Sequence, residues 1–101
     1  MVYLYVAIIS FADKGTEDFF YTGKAPSKAG WKSVSSVARR KLDILNYAHE
    51  LFDLRSPPGN RLEELKGNFK GCFSIRINDQ WRVIFKWTAQ GPGDVKIMDY
   101  H

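Results

Sequence analysis

The sequence predicts an α+β domain in which an N-terminal strand and two helices pack on a mostly antiparallel C-terminal sheet. Three observations support this: an apolar first segment, a middle stretch with helical periodicity, and a last third in which apolar and polar residues alternate. With 101 residues, of which 45% are hydrophobic, the chain is long enough for a single domain with one modest core.

The apolar first segment, residues 1–11, is too short to cross a bilayer and lacks the basic start of a signal peptide. Its Val, Ile, Tyr and Phe residues favour a β-strand. Residues 13–21 follow as the first predicted helix, because Glu17 and Asp18 suit a helix N-terminus and Gly23 suits a helix end.

The second helix is predicted over residues 33–52, since apolar residues recur there at steps of three and four. They are Val34, Val37, Ala38, Leu42, Leu45, Ala48 and Phe52. Residues 55–60 contain two prolines and a glycine, which predicts a stiff loop. Trp31 and Tyr47 are interpreted as packing residues.

The last third of the chain predicts a hairpin and one further strand. Apolar and polar residues alternate over 73–78 and again over 81–87, with a polar break between them. This pattern is typical of a hairpin that turns around Asp79. A second break, the Gln-Gly-Pro-Gly stretch 90–93, precedes a final strand over residues 95–100.

The hairpin register assigns the side chains to two faces. Trp81, Phe85 and Trp87 could stack on bases, but their alternation with basic residues assigns them to the face that covers the helices. The other face carries Ser74, Arg76, Arg82 and Lys86, with Ile84 as the exception.

This second face places Arg76 directly opposite Arg82, and like charges across a strand pair are unfavourable. Two interpretations stay open. The arginines either splay into water on a solvated face, or they receive an anion. Phosphate is then the natural ligand, because the planar guanidinium fork matches it.

Charge and cysteine content limit the function classes. A net charge of +4 and a pI of about 9.3 favour a polyanion, an acidic protein or a membrane surface as partner. The single cysteine, Cys72, excludes an intramolecular disulfide, and His49 and His101 lack zinc-ligand spacing. We therefore predict no metal site, no cofactor and a cytoplasmic location.

Three motifs then stand out, and their order and spacing matter more than any one alone. They are Asn-Arg-Leu-Glu-Glu-Leu-Lys-Gly at 60–67, Ser-Ile-Arg-Ile-Asn-Asp-Gln-Trp-Arg-Val-Ile-Phe at 74–85, and the terminal Asp-Tyr-His at 99–101. Together with Arg-Ser-Pro-Pro-Gly-Asn-Arg-Leu at 55–62, they resemble the HigB branch of the RelE/ParE toxins. The resemblance runs from about Ile9 to the end, so residues 1–8 are interpreted as an extension of a single 1–101 domain.

The resemblance implies a RelE/ParE-like microbial ribonuclease fold with a concave basic face. It also implies a toxin that cleaves messenger RNA on the ribosome and is neutralised by a HigA-type antitoxin with a helix-turn-helix domain. Operator DNA would be bound only through that antitoxin, and no membrane is involved.

The chemistry of metal-free RNA cleavage requires a base for the ribose 2′-hydroxyl, an acid for the leaving oxygen and cations for the developing charge. By resemblance, five residues match functional positions of the family. We expect Tyr100 and His101 to transfer protons, Asp99 to orient them, and Lys66 and Arg82 to stabilise charge.

Further phosphate contacts are expected from Arg76, Lys86 and Arg61. Glu63 departs from the family pattern, because some members have a histidine there, and we expect slower cleavage or greater reliance on His101. Two alternative functions stay open. One is a non-catalytic module that binds RNA or an antitoxin, and the other is a toxin that acts on gyrase, as ParE toxins do.

Overall fold

The computed structural model of the protein describes residues 7–100 and confirms the predicted α+β architecture. Two helices lie against one face of a four-stranded antiparallel sheet whose strands follow in chain order. The elements are α1 (Lys14–Thr22), α2 (Ser35–Tyr47), β1 (Glu63–Glu64), β2 (Phe73–Arg76), β3 (Trp81–Thr88) and β4 (Gly91–Asp99). Over residues 7–100, no helix combines the length and apolar character that a membrane span requires.

Helix α1 begins and ends as the sequence predicts. The Asp13 carboxylate accepts the Thr16 amide at 2.6 Å, and Gly23 closes the helix in a left-handed conformation with φ 77°. The buried Thr16 hydroxyl also accepts the Ile97 amide at 3.1 Å. The helix is therefore tied directly to β4.

The predicted second helix is too long. A short 3-10 turn precedes α2, and the α-helix ends at Tyr47, because Ala48 is extended with ψ 134°. A separate 3-10 helix, Leu51–Arg55, follows. The Asp53 carboxylate caps it by accepting the amides of the two residues that precede the turn, at 2.9 and 3.0 Å.

This early end changes the surface. Tyr47 and Phe52 are 65% and 61% exposed, so the interpretation of Tyr47 as a packing residue is wrong, whereas Trp31 is buried as expected. Apolar periodicity continues past Ala48 and therefore could not reveal the break, which depends on capping by an acidic side chain.

The hairpin forms in the predicted register. Arg76 pairs with Arg82, and the Asn78 side chain accepts the amides of Gln80 and Trp81 at 2.9 and 2.7 Å, which closes the turn around Asp79. The following turn is shorter than predicted, since β4 already begins at Gly91.

The N-terminal strand is only partly confirmed. Phe11 makes a single parallel bridge to Val95, and the Ile9 amide donates to the Pro92 carbonyl at 2.9 Å. Residues 7–11 thus line the edge of β4 without forming a regular strand. The rest of the predicted strand, residues 1–6, lies outside the described residues.

The inner face of the sheet, which meets the helices, forms the core. Fully buried residues from α2 and the strands meet there, among them Leu42, Leu45, Ile75, Val83 and Phe85. Trp81 and Trp87 pack against this cluster, which confirms their assignment to packing rather than to base stacking.

The outer face, on the opposite side of β2, β3 and β4, is less solvated than the first interpretation expects. Ser74 and Ile84 are paired across the strands and are 0% and 2% exposed. The loop between β1 and β2 folds back over this face, since its Phe69 contacts Tyr100 and Lys96. The outer face is therefore a partly covered basic surface.

Candidate active site on the outer face

The Arg82 side chain is only 13% exposed and is more enclosed than the Arg76 and Lys86 side chains, which are 29% and 54% exposed. Its Nη2 donates to the Arg61 carbonyl at 2.8 Å, and its Nη1 lies 3.8 Å from Glu63 Oε1. Burial lowers the pKa of Arg82, while the negative charge of Glu63 and that of an ionised Tyr100 act in the opposite direction. The guanidinium is thus fixed in a largely desolvated position.

Arg76, across the strand pair, relieves the like-charge contact by turning to the hairpin. Its Nη2 forms an ion pair with the Asp79 carboxylate, and its side chain is 29% exposed. Arg76 therefore adds positive charge at the edge of the site, although an RNA phosphate would have to compete with Asp79 for it.

Tyr100 lies directly beyond β4 and is held by the hairpin turn. Its amide donates to the Gln80 carbonyl at 3.1 Å. Since side chains alternate along a strand and Met98 pairs with Arg82, Tyr100 lies on the outer face with Arg82. The electrostatic influence of Tyr100 on Arg82 is consistent with this proximity.

Asp99 occupies the other side of the strand, because it pairs with Trp81 on the inner face. Its carboxylate accepts the Gln80 side-chain amide at 2.9 Å. Gln80 therefore holds both Asp99 and Tyr100, a role that sequence reasoning missed. The signal was its place in the motif at 74–85, directly beside the expected turn.

Lys66 lies at the start of the loop between β1 and β2. Glu64, Leu65, Lys66, Gly67 and Lys70 line an open cleft of about 290 Å³ beside it. Gly67 has a φ of 64°, which a residue with a side chain rarely adopts, so glycine at this position is a structural requirement of the turn. The cleft brings a second cation, Lys70, next to Lys66.

Lys86 and Arg61, the other two expected phosphate ligands, differ from Arg76 in their position and contacts. Lys86 lies four residues along β3 from Arg82, about 13 Å at strand spacing, and its ammonium is 3.3 Å from the Asp94 carboxylate. Arg61 contributes its carbonyl to Arg82, in a left-handed conformation with φ 46°. His101 lies outside the described residues, so the site is described up to Tyr100.

A buried polar pair beneath the site also escaped sequence reasoning. The Lys41 ammonium donates to Asn60 Oδ1 at 2.5 Å, and the Asn60 amide donates to the Leu54 and Ser56 carbonyls. This network anchors the loop that presents the Arg61 carbonyl. Its signal was present, because Lys41 completes the buried spacing of Ala38, Leu42 and Leu45.

Burial of Lys41 has an electrostatic cost. Desolvation lowers the pKa of Lys41 below its ordinary value, and the positive charges of Arg40 and Arg76 act in the same direction. Among the residues from 7 to 100, no three His, Cys, Asp or Glu side chains come together as around a metal ion. The expectation of metal-free chemistry stays a prediction.

Comparison with known proteins gives a consistent result. A family model described as the RelE-like toxin of type II toxin–antitoxin system HigB matches residues 9–101. The protein Toxin HigB-1 of Vibrio cholerae serotype O1 is 46% identical over 84 residues, which cover 79% of this chain and 83% of that protein. An uncharacterized protein of Haemophilus influenzae is 38% identical over 77 residues, covering 76% and 75% of the two chains.

Solved structures support the fold alone. A chain of the YoeB–YefM complex from Staphylococcus aureus superposes with a TM-score of 0.54 at 20% sequence identity. The superposition covers 95% of this chain and 97% of the other. A second structure, a heterotetrameric YoeB–YefM toxin–antitoxin complex from the same organism, gives the same values.

Proposed function

The chain belongs to the HigB-like toxins, RelE-like toxins of type II toxin–antitoxin systems, and we propose that it cleaves messenger RNA on the ribosome. The observation that carries this proposal is the position of Tyr100 on the same strand face as the enclosed Arg82. A proton-transfer group beside a fixed guanidinium is what phosphodiester cleavage needs.

In the proposed reaction, the ribose 2′-oxygen bonds to the adjacent phosphorus and the 5′-oxygen leaves. Tyr100 and His101 move the two protons, one from the 2′-hydroxyl and one to the 5′-oxygen. Arg82 and Lys66 stabilise the charge that develops on the phosphate. The products are a 2′,3′-cyclic phosphate and a free 5′-hydroxyl, with no metal ion or cofactor required.

We assign the remaining residues to positioning and to binding. Asp99 acts through Gln80, which also holds the Tyr100 backbone, so it orients the proton-transfer end of β4 without contact to RNA. Arg76, Lys86 and Arg61 bind phosphates of the RNA strand, with Lys86 at the far end of the face.

Glu63 restrains this activity. Its carboxylate faces the Arg82 guanidinium, so an RNA phosphate has to displace it or share the cation with it. We therefore infer slower cleavage than in relatives with a neutral or cationic side chain at this position.

The proposed partners follow from the family and from the charge of the outer face. A HigA-type helix-turn-helix antitoxin neutralises the toxin, and operator DNA is reached only through that antitoxin. The substrate is messenger RNA in a translating ribosome, which requires action in the cytoplasm. The net charge of +4 supports binding to such a polyanionic complex.

The test is induced expression in a bacterial host with total RNA mapped for new 5′ ends. We expect cuts at fixed codon positions in translated messages, and we expect them to disappear in the Tyr100→Phe, His101→Gln double variant. Tyr47→Phe, which alters an exposed tyrosine elsewhere, is the matched control and should keep the cuts. Intact messages with arrested growth would indicate a gyrase-type target, and intact messages with normal growth a non-catalytic binding module.

A further inference from the structure

The loop between β1 and β2 carries an aromatic side chain that the chemistry above does not use. We propose that Phe69 and Lys96, with the cleft of Lys66 and Lys70, form a binding subsite for one unpaired RNA nucleotide beside the cleaved bond. This inference rests on the proposed function and adds to it a contact with the base in addition to those with the phosphate.

The loop is built to hold Phe69 in place. The Leu65 amide donates to the Cys72 carbonyl at 2.8 Å and closes the loop at its base. Gly67 and Gly71 have φ values of 64° and 90°, and Gly67 also begins a 3-10 turn that ends at Phe69. The aromatic ring is thus presented by a closed turn and not by a loose segment.

Phe69 does not serve the main core. Unlike Phe73, Trp81 and Trp87, it is absent from the partly buried side chains that pack against the core within the described residues. Its ring meets Tyr100 edge to face at 5.6 Å between centroids. The Lys96 ammonium lies 5.4 Å from the ring centroid, and Phe69 remains partly exposed.

The contact with Tyr100 places Phe69 beside the proposed site of cleavage. Tyr100 is the proposed proton-transfer residue, so a base stacked at Phe69 belongs to a nucleotide next to the cleaved bond. Aromatic side chains bind unpaired bases by stacking, and this is tolerant of base identity because every base has a π-face.

Charge favours a nucleotide as the occupant. Lys66 and Lys70 line the cleft on the same loop, and Lys96 lies over the ring. Cations around an aromatic ring match a ligand that combines an aromatic base with phosphates on both sides.

Two unpaired polar atoms on the same face add hydrogen-bonding capacity. Among residues 7–100, Ser74 Oγ and Arg82 Nε are buried and find no hydrogen-bond partner. The two residues are diagonal neighbours, since Ser74 pairs with Ile84, two positions from Arg82. A base edge or a phosphate oxygen of the bound nucleotide that reaches these two atoms would satisfy them.

The experiment compares two messages in programmed ribosomes, one normal and one with an abasic nucleotide next to the cleavage site. For the unaltered protein we expect the abasic change to lower the cleavage rate about tenfold, the usual worth of one stacked base. Phe69→Leu should cleave the normal message about tenfold more slowly and lose its sensitivity to the abasic change. Phe69→Trp should restore both.

Phe52→Leu is the matched control. Phe52 also carries a cation over its ring, with Arg55 Cζ 4.2 Å from the centroid, but it is exposed and lies on the 3-10 helix Leu51–Arg55, outside the loop between β1 and β2. It should keep both the rate and the abasic sensitivity. Thermal unfolding of each variant separates a loss of fold from a loss of binding.

The subsite would be overturned if Phe69→Leu and Phe69→Trp lowered the cleavage rate by the same factor on the normal and the abasic message. It would also be overturned if the unaltered protein cleaved both messages at the same rate. A Phe69→Leu variant with unchanged cleavage and weakened antitoxin binding would overturn it as well. If the unaltered protein cleaves neither message, the proposed function fails. The subsite is then decided by binding of the normal and the abasic single-stranded oligoribonucleotide, with equal affinity counting against it.

Discussion

The inner and outer faces of β2, β3 and β4 differ in how their side chains become buried. On the inner face, strict alternation buries Ile75, Val83 and Phe85 against α2, as the hydrophobic effect requires of any half-buried sheet. On the outer face, burial depends on a loop that folds back from β1. The inner face should therefore determine stability, and the outer face activity.

The largest effect should come from Phe85→Ala on the inner face. Phe85 is fully buried in the core, and loss of a buried phenylalanine costs about 3–5 kcal/mol of unfolding free energy. Urea denaturation measures this. Lys86→Ala, the next residue, should change the free energy by less than about 0.5 kcal/mol. Similar losses of unfolding free energy for the two variants would show that the inner face does not determine stability more than the outer face does.

Next in size is Arg82→Ala on the outer face. Removal of one fixed charge-stabilising donor lowers catalysis by about 100-fold, and we expect that loss in cleavage of a message on programmed ribosomes. Lys14→Ala serves as its matched cation control, because Lys14 is an exposed cation on α1 that is paired with Asp18 and has no assigned role in RNA binding. A comparable loss for both would mean that only overall charge matters.

Asn60→Ala tests the link between the faces. The change leaves the buried Lys41 ammonium without its acceptor and should cost about 2 kcal/mol of stability, since hydrogen bonds to charged groups are worth about 1.5–3 kcal/mol. Because the same loop presents the Arg61 carbonyl to Arg82, the cleavage rate should also fall. Lower stability with an unchanged rate would show that the loop does not position Arg82.

The smallest effect is a pH dependence. The pKa of Lys41 is lowered in the folded protein, so the unfolded chain binds more protons between the folded pKa and the ordinary value of 10.5. Stability from this group therefore rises with pH across that window. Relative to Lys41→Met, the unaltered protein should gain unfolding free energy between pH 7 and pH 10. If the difference in unfolding free energy between the unaltered protein and Lys41→Met did not change with pH, Lys41 would not be a buried cation.

Sequence reasoning found what local patterns determine. The period-two strands, the Arg76–Arg82 pairing and the capped α1 follow from alternation and capping, which act over a few residues. The end of α2 at Tyr47 was missed, because apolar spacing continues beyond it. The Asp53 carboxylate caps a separate 3-10 helix after this end.

Local sequence patterns predict only part of the candidate site. The motif residues Lys66, Arg82 and Tyr100 were named from resemblance, and the strand register accounts for the shared face of Arg82 and Tyr100 but not for Lys66, which lies in a loop. The Lys41–Asn60 hydrogen bond joins residues 19 positions apart, so the apolar spacing of α2 marks Lys41 as buried but does not reveal its partner. Phe69 was missed for the same reason, since its partners lie 27 and 31 residues later in the chain.

The central claim, that the outer face cleaves RNA through Tyr100 and Arg82, is tested most directly on the product ends. The purified toxin is mixed with programmed ribosomes in excess, and the 3′ ends of the message fragments are identified chemically. The account predicts a 2′,3′-cyclic phosphate, formed by the unaltered protein and slowed at least about 100-fold by Tyr100→Phe. A 3′-hydroxyl end, or equal cleavage by the variant, would contradict it.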